Sequence, residues 1–248
     1  MTGAVTGPSA TAAPQAVTFD FWNTLVAENA AGSHRHRRWH DVLVAHGVDV
    51  SPEQLTAAME AGWQWFDRRW RANVQVSTRQ AVSAAMEHLP VTVPDDVVDD
   101  LTRVVVDGSD PDEMRIAPAI AGCLERLSSA GVRIGIICDV GMTPSSTLRG
   151  YLDHHGLLGY FDHWSFSDEV GWYKPDARIF AHAADGLGRP RPDRTAHVGD
   201  LRRTDVAGAR AVGWRSVRYR GLADDAADGP EADHVVDDHA ALPDVLGL

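Results

Sequence analysis

Val17-Thr18-Phe19-Asp20-Phe21-Trp22-Asn23-Thr24-Leu25 is an apolar run that delivers one carboxylate, Asp20, and then turns through Asn23-Thr24. A lone acid at the end of a hydrophobic strand is costly unless a charged group or a cation meets it. Asp20 is therefore a candidate nucleophile or metal ligand. Trp22, two places on, puts a large apolar ring beside it.

Further short apolar runs repeat along the chain and alternate with helical patterns, which predicts a parallel sheet flanked by helices. The expected strands after Val17–Phe21 are Val132–Cys138, His163–Phe166, Thr195–Val198, Ser216–Tyr219 and Asp233–Val236. Val132–Cys138 is nearly continuous in apolar residues, as a strand covered on both faces should be. Leu124 and Leu127 followed by Gly131 mark one connecting helix, and Thr143-Pro144 opens another.

Residues 27–113 differ, with helical patterns and no convincing strand. Ser51-Pro52-Glu53-Gln54 is a capping box with Pro at the first helical position, and Ser77 with Gln80 repeats the pattern. Leu55, Met59, Trp63, Phe66 and Trp70 form one stripe, expected to be the core of this helical unit. The expected division is a disordered tail over 1–15, an α/β core from 16–26 and 114–248, and a helical insertion over 27–113.

The net charge is −12, which opposes a nucleic-acid partner. Two cysteines make no disulfide framework, and no apolar stretch approaches the ~18 residues of a membrane span. The first fifteen residues lack the basic start and apolar block of a signal peptide, so a cytoplasmic protein is expected. Of 23 basic residues only one, Lys174, is a lysine.

Ligands of open parallel sheets bind outside the carboxyl ends of the strands. Asp20 lies at one such end, Cys138-Asp139 at a second and Gly199-Asp200 at a fourth, with Asp205 in the first turns of the following helix. The third strand leads into Ser167-Asp168-Glu169, expected to be a solvated loop, and then to Lys174-Pro175. Carboxylates brought together either take up protons or share a cation, and an all-oxygen set of Asp20, Asp200 and Asp205 suits Mg²⁺. Lys174 is a compact charge able to hold a carboxylate ionised and to neutralise a phosphoryl oxygen.

These elements resemble the haloacid dehalogenase (HAD) superfamily. The match covers Asp20 to Thr24, the strand ending at Cys138, Lys174-Pro175-Asp176, and Gly199-Asp200 to Asp205, in the expected order. The helical insertion sits where many members carry a cap. The resemblance implies a Rossmann-like α/β core and Asp20 as covalent nucleophile, forming an aspartyl-phosphate. It implies Mg²⁺ held by Asp20, the Trp22 backbone carbonyl, Asp200 and, through water, Asp205. Lys174 becomes the second catalytic residue. Cys138, Asp139, Thr24 and Trp22 become the contacts of a small phosphorylated substrate.

Two positions depart from the phosphatase pattern. Trp22 stands where phosphatases of the family place an acid that protonates the leaving group and then activates water, and losing such a group costs ~10²–10⁴-fold. Cys138 replaces a hydroxyl residue. The alternatives are a metal-independent 2-haloacid dehalogenase, suggested by the aromatic at 22, and a non-catalytic binding or scaffold protein on the same fold. A lysine-based phosphonate hydrolase is closed off, because residues 27–113 hold no lysine. A substitute acid is sought in Asp139 or in His34, His36 and His40 of the helical insertion, where the basic run His34-Arg35-His36-Arg37-Arg38 also offers an anion contact.

Overall fold

A computed structural model describes residues 13–28, 32–108 and 110–248. The chain runs β1 (Ala16–Phe19), β2 (Val26–Glu28), α1 (Gly32–Ala45), α2 (Pro52–Arg71), α3 (Thr78–Met86), α4 (Asp95–Asp107), β3 (Met114–Ile116) and α5 (Ile120–Ser129). It continues β4 (Arg133–Cys138), α6 (Ser145–His154), β5 (His163–Phe166), α7 (Ser167–Val170), α8 (Ala177–Gly186), β6 (Thr195–Gly199), α9 (Ala207–Ala211), β7 (Arg215–Tyr219), β8 (His234–Val236) and α10 (Leu242–Leu246).

Six strands form one parallel sheet in the order β5-β4-β1-β6-β7-β8. All six expected strands are present, no end shifted by more than two residues. β4 shows why the sheet is covered on both sides. Ile136 packs into the cluster containing Leu124 and Leu127 of α5, and Ile137 into the one containing Ile179 and Phe180 of α8. Successive side chains of a strand point to opposite faces, so a doubly covered strand must be apolar at both.

The chain leaves β1, builds β4 and β5 on one side, then crosses back to build β6, β7 and β8 on the other. β1 is therefore the switch point, where a crevice opens at the carboxyl ends. Phe19 is level with Ile136 of β4 and with Val198 of β6. That register sets the loops carrying Asp20, Asp139 and Asp200 side by side.

Helices α1–α4 lie between β2 and β3 and share a core that includes Trp39, Leu43, Leu55, Val98 and Leu101. Both capping boxes form: the Ser51 and Ser77 hydroxyls accept from the Gln54 and Gln80 N–H groups, each at 3.2 Å. Gly62 permits the α2–α3 crossing, since a Cβ there would sit 2.6 Å from that of Ala85.

One pairing escaped the sequence reading. β2 and β3 form an antiparallel pair, Val26 opposite Ile116 and Glu28 opposite Met114, through which the chain enters and leaves the helical unit. Each strand is three residues long, too short for alternation to register. The expected tail also needs correction at its inner end. Ala13 accepts from Arg194 Nε at 2.8 Å, and the Gln15 N–H donates to the Arg194 carbonyl at 2.7 Å. Residues 1–12 of that tail lie outside the described residues.

Candidate active site

Asp20 follows β1 while still in register, its N–H donating to the Val198 carbonyl at 2.8 Å. The chain then reverses: the N–H groups of Leu25 and Val26 both reach the Phe21 carbonyl, at 2.9 and 3.1 Å, and Asn23 takes φ +54°. Asn tolerates that left-handed conformation better than most residues. The turn directs Asp20 and Trp22 into a cavity of about 680 Å³ between the sheet ends and α2, and sends Thr24 the other way.

Lys174 joins the acids. Its Nζ donates to Asp20 Oδ1 at 2.5 Å and to Asp205 Oδ1 at 2.6 Å, and the lysine is only 2% exposed. Its backbone N–H donates to Asp139 Oδ1 at 2.8 Å. Asp205 is held from all sides: His197 Nε2 lies 3.0 Å from Oδ1, while the Leu201 N–H and the Thr204 hydroxyl donate to Oδ2 at 2.9 and 3.2 Å. His197 is oriented in turn by Thr18 Oγ1, 2.8 Å from its Nδ1. Gly199 makes room, because a Cβ there would lie 2.2 Å from Asp205 Cγ.

Asp205 does not begin an ordinary α-helix, as the sequence suggested. It lies in a π-helical segment, Arg202–Val206, whose wider turn precedes α9.

Asp20, Asp200 and Asp205 are all buried, and each offers an oxygen within 4.8 Å of those of the other two. Burial lifts Asp20 to about 7, opposed by Lys174 and reinforced by Asp205. Asp200 rises well above the carboxylate range through burial and then the charge of Asp20. Burial also acts upward on Asp205, but Lys174 and His197 overcome it and hold that acid low. Lys174 stays protonated, its neighbouring carboxylates outweighing burial. Crowded carboxylates of this kind fit a hard divalent cation, which relieves their repulsion.

Of the expected substrate contacts, Trp22 and Asp139 line the cavity, and Cys138 and Thr24 do not. Cys138 is fully buried in the main core, where burial pushes its thiol far up. Thr24 is also fully buried, its carbonyl accepting from His239 Nε2 at 2.8 Å.

Leu55 and Met59 of the stripe belong to the helical core, as expected, but its later residues form the cavity's far wall. Trp63, Phe66 and Trp70 of α2 face the acids, and Trp63 is 54% exposed. Thr143, Arg35 and Arg71 line the cavity as well. Thr143, on the loop that follows β4, brings a hydroxyl to the cavity where Cys138 does not; a Thr ahead of a helix-opening Pro was its sequence signal. The basic run is partly engaged, Arg35 with Glu28 at 3.2 Å and His36 Nε2 3.0 Å from the Pro52 carbonyl. Asp168 and Glu169 are anchors rather than free loop, accepting from the Ser145 N–H and hydroxyl at 3.0 and 2.9 Å.

Residues 14–213 match the family model of haloacid dehalogenase-like hydrolases. The chain belongs to that family. Among its HAD relatives, the bovine haloacid dehalogenase-like hydrolase domain-containing protein 3 is 32% identical over 115 residues, 46% of this chain and 44% of that protein. A glyceraldehyde 3-phosphate phosphatase from Methanothermobacter thermautotrophicus is 31% identical over 142 residues, 54% of this chain and 59% of its own length. The chain thus spans less than two thirds of either. (S)-2-haloacid dehalogenase 1 of a Pseudomonas strain is 26% identical over 209 residues, covering 82% and 83%. In fold, the HAD-hydrolase YfnB of Bacillus subtilis, solved bound to magnesium, superposes with a TM-score of 0.72 at 14% identity, over 95% of this chain and all of that one.

Proposed function

We propose that this HAD hydrolase is a Mg²⁺-dependent phosphohydrolase of small phosphorylated metabolites, with Asp20 as nucleophile. The observation that carries the reading is Lys174 Nζ bridging Asp20 and Asp205 inside a cavity where three buried acids converge. Three converging carboxylates beside one lysine carry more negative charge than it can neutralise, and a divalent cation would balance the excess. Phosphatase relatives add support from outside the chain.

The residues divide the work by charge. Asp20 Oδ attacks phosphorus and the bond to the leaving oxygen breaks. Lys174 keeps Asp20 ionised and neutralises a phosphoryl oxygen, a stabilisation that is strong in a closed site. Asp20, Asp200 and the Trp22 carbonyl would hold Mg²⁺, with Asp205 adding charge to the cluster, and the cation would supply the positive field that lets two anions meet. Trp22 forms a flat apolar side of the cavity and transfers no proton.

A panel of sugar, nucleotide and acyl phosphates tests the reading. Phosphate release should require Mg²⁺ and stop on chelation. The second reading, a 2-haloacid dehalogenase, is favoured by Trp22, and halide release from 2-haloacids without metal would establish it instead. Turnover of neither kind would leave the scaffold reading.

The aromatic wall gives a prediction about specificity. Trp63→Ala should raise KM about 5-fold for phenyl phosphate, the scale of one aromatic contact, and leave KM for glycerol phosphate and both kcat values nearly unchanged. Steady-state kinetics on the two substrates checks it. No helix of the described residues is long and apolar enough to cross a membrane.

A further inference from the structure

We propose that Asp139 is the proton donor to the leaving group, and afterwards the base for water, that Trp22 cannot be. The inference rests on the phosphohydrolase reading and fills its one chemical gap.

Asp139 lies on the loop after β4, the strand beside β1, and lines the cavity with Asp20. Lys174 ties the two acids together, its Nζ on Asp20 at 2.5 Å and its backbone N–H on Asp139 Oδ1 at 2.8 Å. From the cap side, Trp70 Nε1 donates to Asp139 Oδ2 at 2.7 Å. The carboxyl is thus aimed by one donor from the core and one from the helical unit. Arg203 stands over the Trp70 ring, its Cζ 4.0 Å from the centroid.

The other acids of the cavity are already committed. Asp20, Asp200 and Asp205 form the cation cluster. Glu28 is paired with Arg35 at 3.2 Å and Asp67 with Arg71 at 2.7 Å. The histidines considered from sequence do not line this cavity: His36 is bonded to the Pro52 carbonyl, and His34 is 3.2 Å from Glu113. Asp139 has neither a cationic side chain bonded to it nor a place in the cluster.

Its electrostatic setting suits both tasks. Burial lifts the carboxyl to about 6, while Lys174 and the two hydrogen bonds act downward and Asp205 upward. Arg203, Tyr173, Cys138 and Asp20 are the remaining charged or titratable neighbours. A group titrating close to neutrality is populated in both forms, as an acid that later serves as a base must be.

The proton count closes. When Asp20 Oδ bonds to phosphorus, the P–O pair leaves with the alcohol oxygen, which takes the proton from Asp139. Water then attacks the aspartyl-phosphate and gives its proton to the Asp139 carboxylate. The P–O pair returns to Asp20, phosphate leaves, and both acids are restored.

The test is single-turnover release of the phenol from aryl phosphates graded by leaving-group acidity, which reads the first step alone. A good leaving group needs no proton. In Asp139→Asn, release from nitrophenyl phosphate should stay within a few-fold of wild type, while release from methoxyphenyl phosphate falls ~10²-fold or more. The retained nitrophenyl reaction also shows that the variant is folded. A loss of equal size across the series would make Asp139 structural and overturn the proposal. No release from any member by the wild-type enzyme would overturn the phosphohydrolase reading itself.

Discussion

Asp20→Asn is expected to lower kcat for phosphate release by about 10⁴-fold or more, the scale seen when a covalent nucleophile is removed. The fold should survive. Asp20 is buried with Asp200 and Asp205, and burial raises it to about 7, so in the metal-free protein its ionised form is the strained one. A neutral amide of the same shape removes that strain and leaves Lys174 its second partner, Asp205 at 2.6 Å. The metal-free variant should therefore melt no lower than wild type. Calorimetry beside a kinetic assay checks both halves, and a variant that loses activity by unfolding would contradict the assignment.

Lys174→Met should fail in both respects. The side chain is 2% exposed and neutralises two buried carboxylates. Removing one member of a buried charge set leaves the others uncompensated, at a cost of about 3–5 kcal/mol. For a chain of this size that corresponds to a fall in Tm on the order of 10 °C. Activity should drop as well, since among the described residues no other cationic side chain is bonded to Asp20. Added Mg²⁺ should recover part of the lost stability and little of the rate.

The lysine's contribution has a definite pH sign. Its folded pKa lies well above 10.5, so the stabilisation is fully present below the unfolded value and is lost only as pH rises through the folded one. Between pH 5 and 9 the difference in Tm between wild type and Lys174→Met should therefore receive no contribution from titration of the lysine itself.

The sheet and the acid cluster were readable because both rest on short-range signals. Apolar runs of about strand length predict strands, and acids placed just after them are carried to one crevice by parallel topology. Asp20, Asp200, Asp205 and Lys174 meet for that reason. Side-chain direction was not readable. Thr24 and Cys138 sit next to cavity residues in the chain, yet the turn at Asn23 and the alternation of β4 point them inward. Period-four spacing revealed that Trp63, Phe66 and Trp70 share a face, and left open that the face looks onto the acids. The β2–β3 pair depends on a contact across the whole helical insertion, which three-residue strands cannot announce.

The lone lysine also gives the molecule an unusual chemical silence. Every other basic side chain of the 23 is an arginine, so the chain's single side-chain amine is buried against Asp20 and Asp205. Amine-directed reagents have no lysine to modify on the closed surface. The rate at which such a reagent reaches Lys174 then reports how often this buried amine is exposed, without any added label.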